Sequence, residues 1–173
     1  MAKSPESIPP MWAAMLVPDD HILARLRSAG HGATRFVRCS GGRDAVVISP
    51  LQRGLSALDA LGLPVEDGHA VLVDRSRHEL IVIVDDGWMH VWDEVPGARV
   101  LPFGAWLLVP AHGCDGSLAA HWLSRPAQDI PMLWRDHQTE PSLAAMSAGV
   151  DARELRDALA AVDKARAAAT VPS

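Results

Sequence analysis

The chain has 173 residues, of which 49% are hydrophobic and 21% charged, and its formal net charge at pH 7 is −5. A chain of this size suits one domain that buries its own core without disulfides or metal ions. The negative charge argues against a broad electrostatic surface for nucleic acid, although it leaves room for a local basic patch. The two cysteines, Cys39 and Cys114, do not form the disulfide framework of a secreted protein.

The first residues carry no signal for export or membrane insertion. Residues 1–10 combine one lysine with several prolines and serines, which is typical of a loose tail. The apolar residues 11–17 are too few to span a bilayer, and the basic region that begins a signal peptide is missing. We therefore expect a cytoplasmic protein without membrane association.

Local signals predict the first elements after this tail. Asp19 and Asp20 can cap a helix that Gly30 ends. Residues 34–39 and 44–48 then predict the two strands of a hairpin, with turn residues 40–43 between them.

The clearest local signal is a strand that runs directly into a helix. Leucines recur at helical spacing over residues 51–61. Ser49 is suited to cap this helix, Gln52 completes a capping box, and Gly62 fits the C-terminal stop.

The middle of the chain predicts further strands. Residues 70–74 and 79–84 are apolar and β-branched, which indicates a second hairpin. Residues 105–109 are uniformly apolar and predict a central strand buried on both faces, and residues 121–124 predict a strand after it.

This order of strand, helix, hairpin and apolar strand resembles the amino-terminal domain of bifunctional DNA primase-polymerases, the prim-pol branch of the archaeo-eukaryotic primases. Residues 57–62 match the run that ends the helix after that family's acid-bearing strand, and residues 103–111 match a later strand. The resemblance covers about residues 34–125. It implies an α+β fold with a mostly antiparallel sheet flanked by helices, followed here by C-terminal helices.

The metal-binding acids that the resemblance implies are missing. Two carboxylates would stand at the end of the first core strand, where residues 48–51 supply none. Ser76 and His78 match a Ser-x-His-like element, but the register that best aligns the strand places Glu79 at the histidine position. Phosphoryl transfer in this family needs carboxylate-held metal ions. The resemblance therefore implies the fold, argues against polymerase activity and implies no cofactor.

The turn of the second hairpin is a candidate phosphate-binding patch. Arg75, Arg77 and His78 lie together in the sequence, and arginine makes bidentate contacts with phosphate. The alternative is an ordinary solvated turn, because polar residues in hairpin turns rarely carry chemistry.

A loop near residue 114 offers candidate metal ligands. His112, Cys114 and His121 are residue types that zinc accepts. Structural zinc sites use four ligands, however, and no fourth follows nearby. The alternative to a metal site is a polar loop with a thiol that packs as a small hydrophobe.

The C-terminal segment resembles a helix-turn-helix over residues 145–159. Its second helix would present Arg153 and Arg156 to DNA. Acidic neighbours offset these charges, and Asp151 with Glu154 also forms an ordinary capping box.

Residues 88–92 alternate like a strand and predict an aromatic face. Trp88, His90 and Trp92 would share one side of this strand. Exposed, they would form a patch that anchors a protein partner or stacks bases. The alternative is that they pack under the terminal helices.

We expect three segments: a flexible tail over residues 1–10, an α+β domain over 11–127 and a helical segment over 128–173. The leading hypothesis is a non-catalytic binding or regulatory module with a protein partner. One alternative is a DNA-binding regulator that uses the C-terminal segment. The other is a residual nucleotide-binding enzyme, so nucleic acid and nucleotides remain alternative ligands.

Overall fold

A computed structural model describes residues 11–16, 20–39, 42–85, 89–126 and 149–170. The predicted tail, Trp88 and the first helix of the predicted helix-turn-helix lie outside these residues. The described chain has the predicted α+β class, with antiparallel sheets and a C-terminal helix. None of its described helices is long and apolar enough to cross a membrane.

The described residues form four α-helices and eight β-strands. The helices are α1 (Met11–Met15), α2 (Asp20–Ser28), α3 (Leu51–Leu61) and α4 (Ala152–Thr170). The strands are β1 (Thr34–Arg38), β2 (Arg43–Ile48), β3 (Val71–Asp74), β4 (Glu79–Asp85), β5 (Ala98–Val100), β6 (Trp106–Pro110), β7 (Gly116–Ser117) and β8 (Ala120–Ser124). Short 3-10 helices cover His31–Ala33, Val65–Asp67 and Met89–Val91.

The strands form a large and a small antiparallel sheet. The large sheet has six strands in the order β5-β2-β4-β3-β8-β7, and β1 pairs with β6 in a separate two-stranded sheet. Alternate residues of each strand point to opposite faces. Val46 and Val82 pack under the helices, whereas Ala45 and Ile83 pack under the two-stranded sheet. The six-stranded sheet is therefore the middle of three layers.

The predicted strand-to-helix passage is confirmed, but its capping is different. Gly62 ends α3 in the left-handed conformation, with φ 64°. Pro50, and not Ser49, stands at the N-cap and makes no side-chain bond to the helix, so the predicted capping box is wrong. The first helical N–H, that of Leu51, donates to the carbonyl of His78 at 2.8 Å. The β3–β4 turn therefore takes the place of the side-chain cap.

Two predicted strand arrangements are wrong because pairing joins distant parts of the chain. Residues 34–39 and 44–48 do not form a hairpin, since β2 lies between β4 and β5 while β1 pairs with β6. Residues 105–109 do not form a central strand, because β6 belongs to the two-stranded sheet and its Trp106 is 49% exposed. The hairpin of β3 and β4 and the strand β8 are confirmed.

The predicted strand over residues 88–92 is also wrong. Met89–Val91 is a 3-10 helix, closed by a hydrogen bond of 3.2 Å from the N–H of Trp92 to the carbonyl of Met89. This turn directs Trp92 into the core on the helix side, where it is 3% exposed.

The predicted C-terminal helix is confirmed and shares the main core. One Asp151 oxygen accepts the N–H groups of Arg153 and Glu154, both at 2.9 Å, which caps α4. Leu155 and Leu159 are fully buried among residues of α3 and the six-stranded sheet.

The residues before α4 extend the large sheet. Val150 forms a parallel bridge with Val84, and the N–H of Asp85 donates to the carbonyl of Val150 at 3.2 Å. A Cβ on Gly149 would lie 2.6 Å from the carbonyl carbon of Val84, so only glycine allows this approach. The turn of the predicted helix-turn-helix is thus held against the sheet.

Candidate binding groove

A groove of about 360 Å³ opens where the two-stranded sheet leaves one end of the large sheet uncovered. Strands of both sheets and the β3–β4 turn line it. We call it the sheet groove, and its defining residues are Phe36, Asp74, Arg77, Glu79, Arg99 and Trp106.

Two exposed aromatic side chains form one wall of the sheet groove. In β1 the inward Val37 is fully buried, while its neighbour Phe36 points outward and is 59% exposed. In β6 Trp106 is 49% exposed, and the guanidinium of Arg38 stacks 4.8 Å from its ring centroid. Isolated exposed hydrophobic side chains are common, but two large aromatic ones on one groove indicate a binding surface.

The charged residues of the groove are layered. Asp74 and Glu79 are paired across β3 and β4, so their side chains share one face. These side chains are only 6% and 16% exposed, whereas those of Arg77 and Arg99 are 73% and 53% exposed. The carboxylates therefore lie deep in the groove and the guanidinium groups lie at its rim.

Hydrogen bonds order the β3–β4 turn before any ligand arrives. An Asp74 oxygen accepts the Ser76 hydroxyl at 2.5 Å and the Arg77 N–H at 3.0 Å. His78 closes the turn with a left-handed φ of 57°. Arg77 is thus carried on a preordered turn at the rim.

Both carboxylates of the groove already face a cation. Glu79 lies 3.1 Å from Arg99, and Asp74 lies 3.8 Å from Arg77. Within the described ranges no three His, Cys, Asp or Glu side chains gather as metal ligands would. The groove therefore offers apolar and guanidinium contacts to a ligand rather than a set of open carboxylates.

The turn residues predicted as a phosphate patch point in different directions. Arg77 lines the sheet groove. Arg75 is half-buried on another side, where its guanidinium donates to the Leu16 carbonyl at 3.3 Å and burial lowers its pKa. His78 is exposed at the start of α3. The structure therefore places one of the three residues in the groove.

The predicted metal ligands are not brought together. His112 is exposed and Cys114 half-buried in the loop after β6, and they form no ligand cluster with His121 within the described ranges. His121 lies opposite Val73 on the helix-covered side and is 6% exposed. Burial, and then the charge of Arg75, lower the pKa of His121 to about 4. These three weak candidates therefore form no common ligand cluster in the part of the chain that the structure describes.

A second cleft, of about 590 Å³, brings together His90 of the predicted aromatic face and the two arginines of the predicted helix-turn-helix. We call it the helix cleft, defined by His90 of the 3-10 helix, Glu94, and Arg153, Arg156 and Asp157 of α4. Arg156 pairs with Asp157 at 2.8 Å. Since Trp92 is buried beneath, the predicted exposed face of His90 with Trp92 is wrong.

The sequence interpretation missed the residues that form the aromatic wall. Phe36 carries a usable signal, because an aromatic residue between Arg35 and Val37 in a predicted strand must face either the core or solvent. Trp106 carries none, since its apolar neighbours indicate burial. Arg99 reaches the groove only because β5 pairs with β2.

No protein-family model, curated protein or solved structure matches the chain. We therefore infer function from the geometry of the sheet groove and the helix cleft.

Proposed function

We propose that the chain is a non-catalytic binding module that holds a protein partner in the sheet groove. The observation that carries this proposal is the joint exposure of Phe36 and Trp106, at 59% and 49%, in one groove. Large aromatic side chains in partly formed pockets contribute most of the binding energy in many protein interfaces.

The groove is preorganised, which supports a binding role. The pairing of β1 with β6 fixes the aromatic wall, and the hydrogen bonds of Asp74 fix the turn opposite it. A surface that is ordered before binding loses less conformational entropy when the partner docks.

The segment that the primase-polymerase resemblance aligns with catalytic acids is used for packing. Ile48 and Leu51 are 0% and 4% exposed, and the Ser49 N–H donates to the Gly97 carbonyl at 2.7 Å. This arrangement supports a binding module with a degenerate primase-polymerase-like fold rather than a residual enzyme.

Affinity capture from source cells tests the proposal. Proteins enriched by the wild type are quantified against the double variant Phe36→Ala/Trp106→Ala. The control is Phe103→Ala, which removes an 80% exposed aromatic residue that does not line the groove. We expect specific partners to be lost with the double variant and kept with the control. Equal capture by all three proteins would contradict the proposal.

A second candidate function is nucleic-acid binding at the helix cleft. It is favoured by the meeting of His90, Arg153 and Arg156 in one cleft, although Glu94 and Asp157 oppose it. Fluorescence anisotropy with labelled single- and double-stranded DNA at low salt tests this function. Binding should weaken steeply with salt and with Arg153→Ala/Arg156→Ala. Absence of binding at low salt would exclude this candidate.

A further inference from the structure

The exposed charge of the sheet groove is positive although the chain as a whole is negative. The rim guanidinium groups of Arg77 and Arg99 are 73% and 53% exposed, while the carboxylates they face lie deeper, at 6% and 16%. Among the described residues, each pairing engages one terminal nitrogen of the guanidinium. Arginine has five N–H donors, so both groups retain donors for a second anion.

A third guanidinium, that of Arg38, stacks on the aromatic wall without lining the groove itself. Arg38 stacks over one face of the Trp106 ring at 4.8 Å. Stacking holds the ring in place and adds positive charge beside it. An anionic group that approaches between the turn and the wall therefore meets Arg77 and Arg99, next to a Trp106 ring that Arg38 supports.

The floor of the groove is aliphatic, which disfavours single-stranded nucleic acid as the anionic ligand. Val47, Ile81 and Leu101 line it beneath the aromatic wall. Sites for single-stranded nucleic acid combine flat aromatic platforms with a continuous basic track for the backbone. Here an aliphatic floor and two deep carboxylates interrupt such a track, whereas an apolar side chain fits this floor well.

We propose that the sheet groove recognises an acidic peptide segment, in which a carboxylate binds Arg77 and Arg99 and a neighbouring apolar side chain fills the space between Phe36 and Trp106. The inference rests on the proposed function and names its partner chemistry. A groove of about 360 Å³ accommodates a few side chains of an extended segment.

Selection from a random library of peptides of about 12 residues tests this inference, since extended peptides bind through alternate side chains in such pockets. The library is selected on the wild type after removal of peptides that bind Phe36→Ala/Trp106→Ala. We expect enriched peptides to carry Asp or Glu close to an aromatic or large aliphatic residue.

The enriched peptides are then synthesised, labelled and titrated by fluorescence anisotropy. Arg77→Ala/Arg99→Ala should weaken binding about tenfold or more, and so should replacement of the peptide acid by its amide. The control is Arg125→Ala, which removes an exposed arginine that pairs with Asp115 outside the groove. Circular dichroism verifies that each variant is folded.

The outcomes separate the two proposals. Peptides that require Phe36 and Trp106 but carry no acid, or that bind equally well without Arg77 and Arg99, would overturn the acidic-peptide inference and keep the binding module. Failure to enrich any peptide that needs the aromatic wall would overturn both. Binding of an oligothymidylate that is lost with Phe36→Ala/Trp106→Ala would replace the peptide with single-stranded nucleic acid.

Discussion

The helix-covered face of the six-stranded sheet is closed along its length, whereas the opposite face is closed at one end and open at the other. On the helix side Trp12, Leu155 and Leu159 are fully buried. On the other side Val37 is buried to the same extent, yet its neighbour Phe36 is 59% exposed. The chain thus keeps its continuous core on one face and presents candidate ligand contacts on the other.

The layer of helices on one face of the large sheet is wider than the two-stranded sheet on the other face. Helices α1, α3 and α4 pack together on one face, and Asp59 of α3 accepts the N–H of Trp12 at 2.7 Å to begin α1. The opposite cover is a sheet of two strands. The groove lies beside this two-stranded sheet, at the β3–β4 turn.

Removing an apolar side chain should lower the free energy of unfolding much more on the helix-covered face than in the sheet groove. Leu159→Ala leaves a cavity under the helices and should lower the free energy of unfolding by about 2–5 kcal/mol. Phe36→Ala in the groove should change it by less than about 1 kcal/mol, because that side chain is mostly exposed. Urea denaturation measures both values. A loss with Phe36→Ala as large as with Leu159→Ala would show that the aromatic wall belongs to the core.

The helix-covered face should also make stability depend on pH through His121. Its pKa falls from the ordinary 6.5 to about 4 on folding, mainly through burial. Between these values the unfolded chain binds a proton that the folded chain does not. The contribution of His121 to the free energy of unfolding is therefore complete above pH 6.5. As the pH falls toward 4, the free energy of unfolding decreases by on the order of 3 kcal/mol.

His121→Gln isolates this contribution. The difference in unfolding free energy between pH 7 and pH 4.5 should shrink in the variant, as measured by urea denaturation at both values. The same substitution at exposed His112 is the control and should leave the wild-type difference in place. An unchanged difference in His121→Gln would mean that His121 carries its proton in the folded protein.

The elements that the sequence predicted correctly depend on neighbours in the chain. Leucine spacing and Gly62 define α3, the short turn at residues 75–78 joins β3 to β4, and Asp151 caps α4. In each case the contacts that the pattern specifies lie within a few residues, although the first N–H of α3 bonds to the distant His78. The local sequence pattern is therefore enough to predict each of these elements.

The wrong strand pairings concern partners that are distant in the chain. Nothing local in β1 indicates that it pairs with β6, or that β2 is inserted between β4 and β5. For the same reason the candidate site was only partly predictable. Arg77 stands in a visible turn, but the groove around it needs Phe36, Arg99 and Trp106 from three other strands.

A smaller effect should come from the ion pair that joins α4 to α3. Arg53 is 4% exposed and donates to both oxygens of Asp163, at 2.8 and 2.7 Å. Its remaining terminal nitrogen is buried without a hydrogen-bond partner among the described residues. Asp163→Ala would leave the guanidinium buried without its counter-charge and should cost about 2 kcal/mol.

Asp157→Ala is the matched control, six residues earlier on the same helix. Asp157 pairs with exposed Arg156, and such surface pairs contribute about 0.5 kcal/mol or less.

Hydrogen bonds from Arg53 lower the pKa of Asp163. The stabilisation from this ion pair is therefore present above the ordinary pKa of 3.8 and is lost in more acidic solution. The unfolding free energies of Asp163→Ala and Asp157→Ala should therefore differ at pH 7 and approach each other as the pH falls below 4. If they do not differ at pH 7, apolar packing alone holds α4 on the closed face.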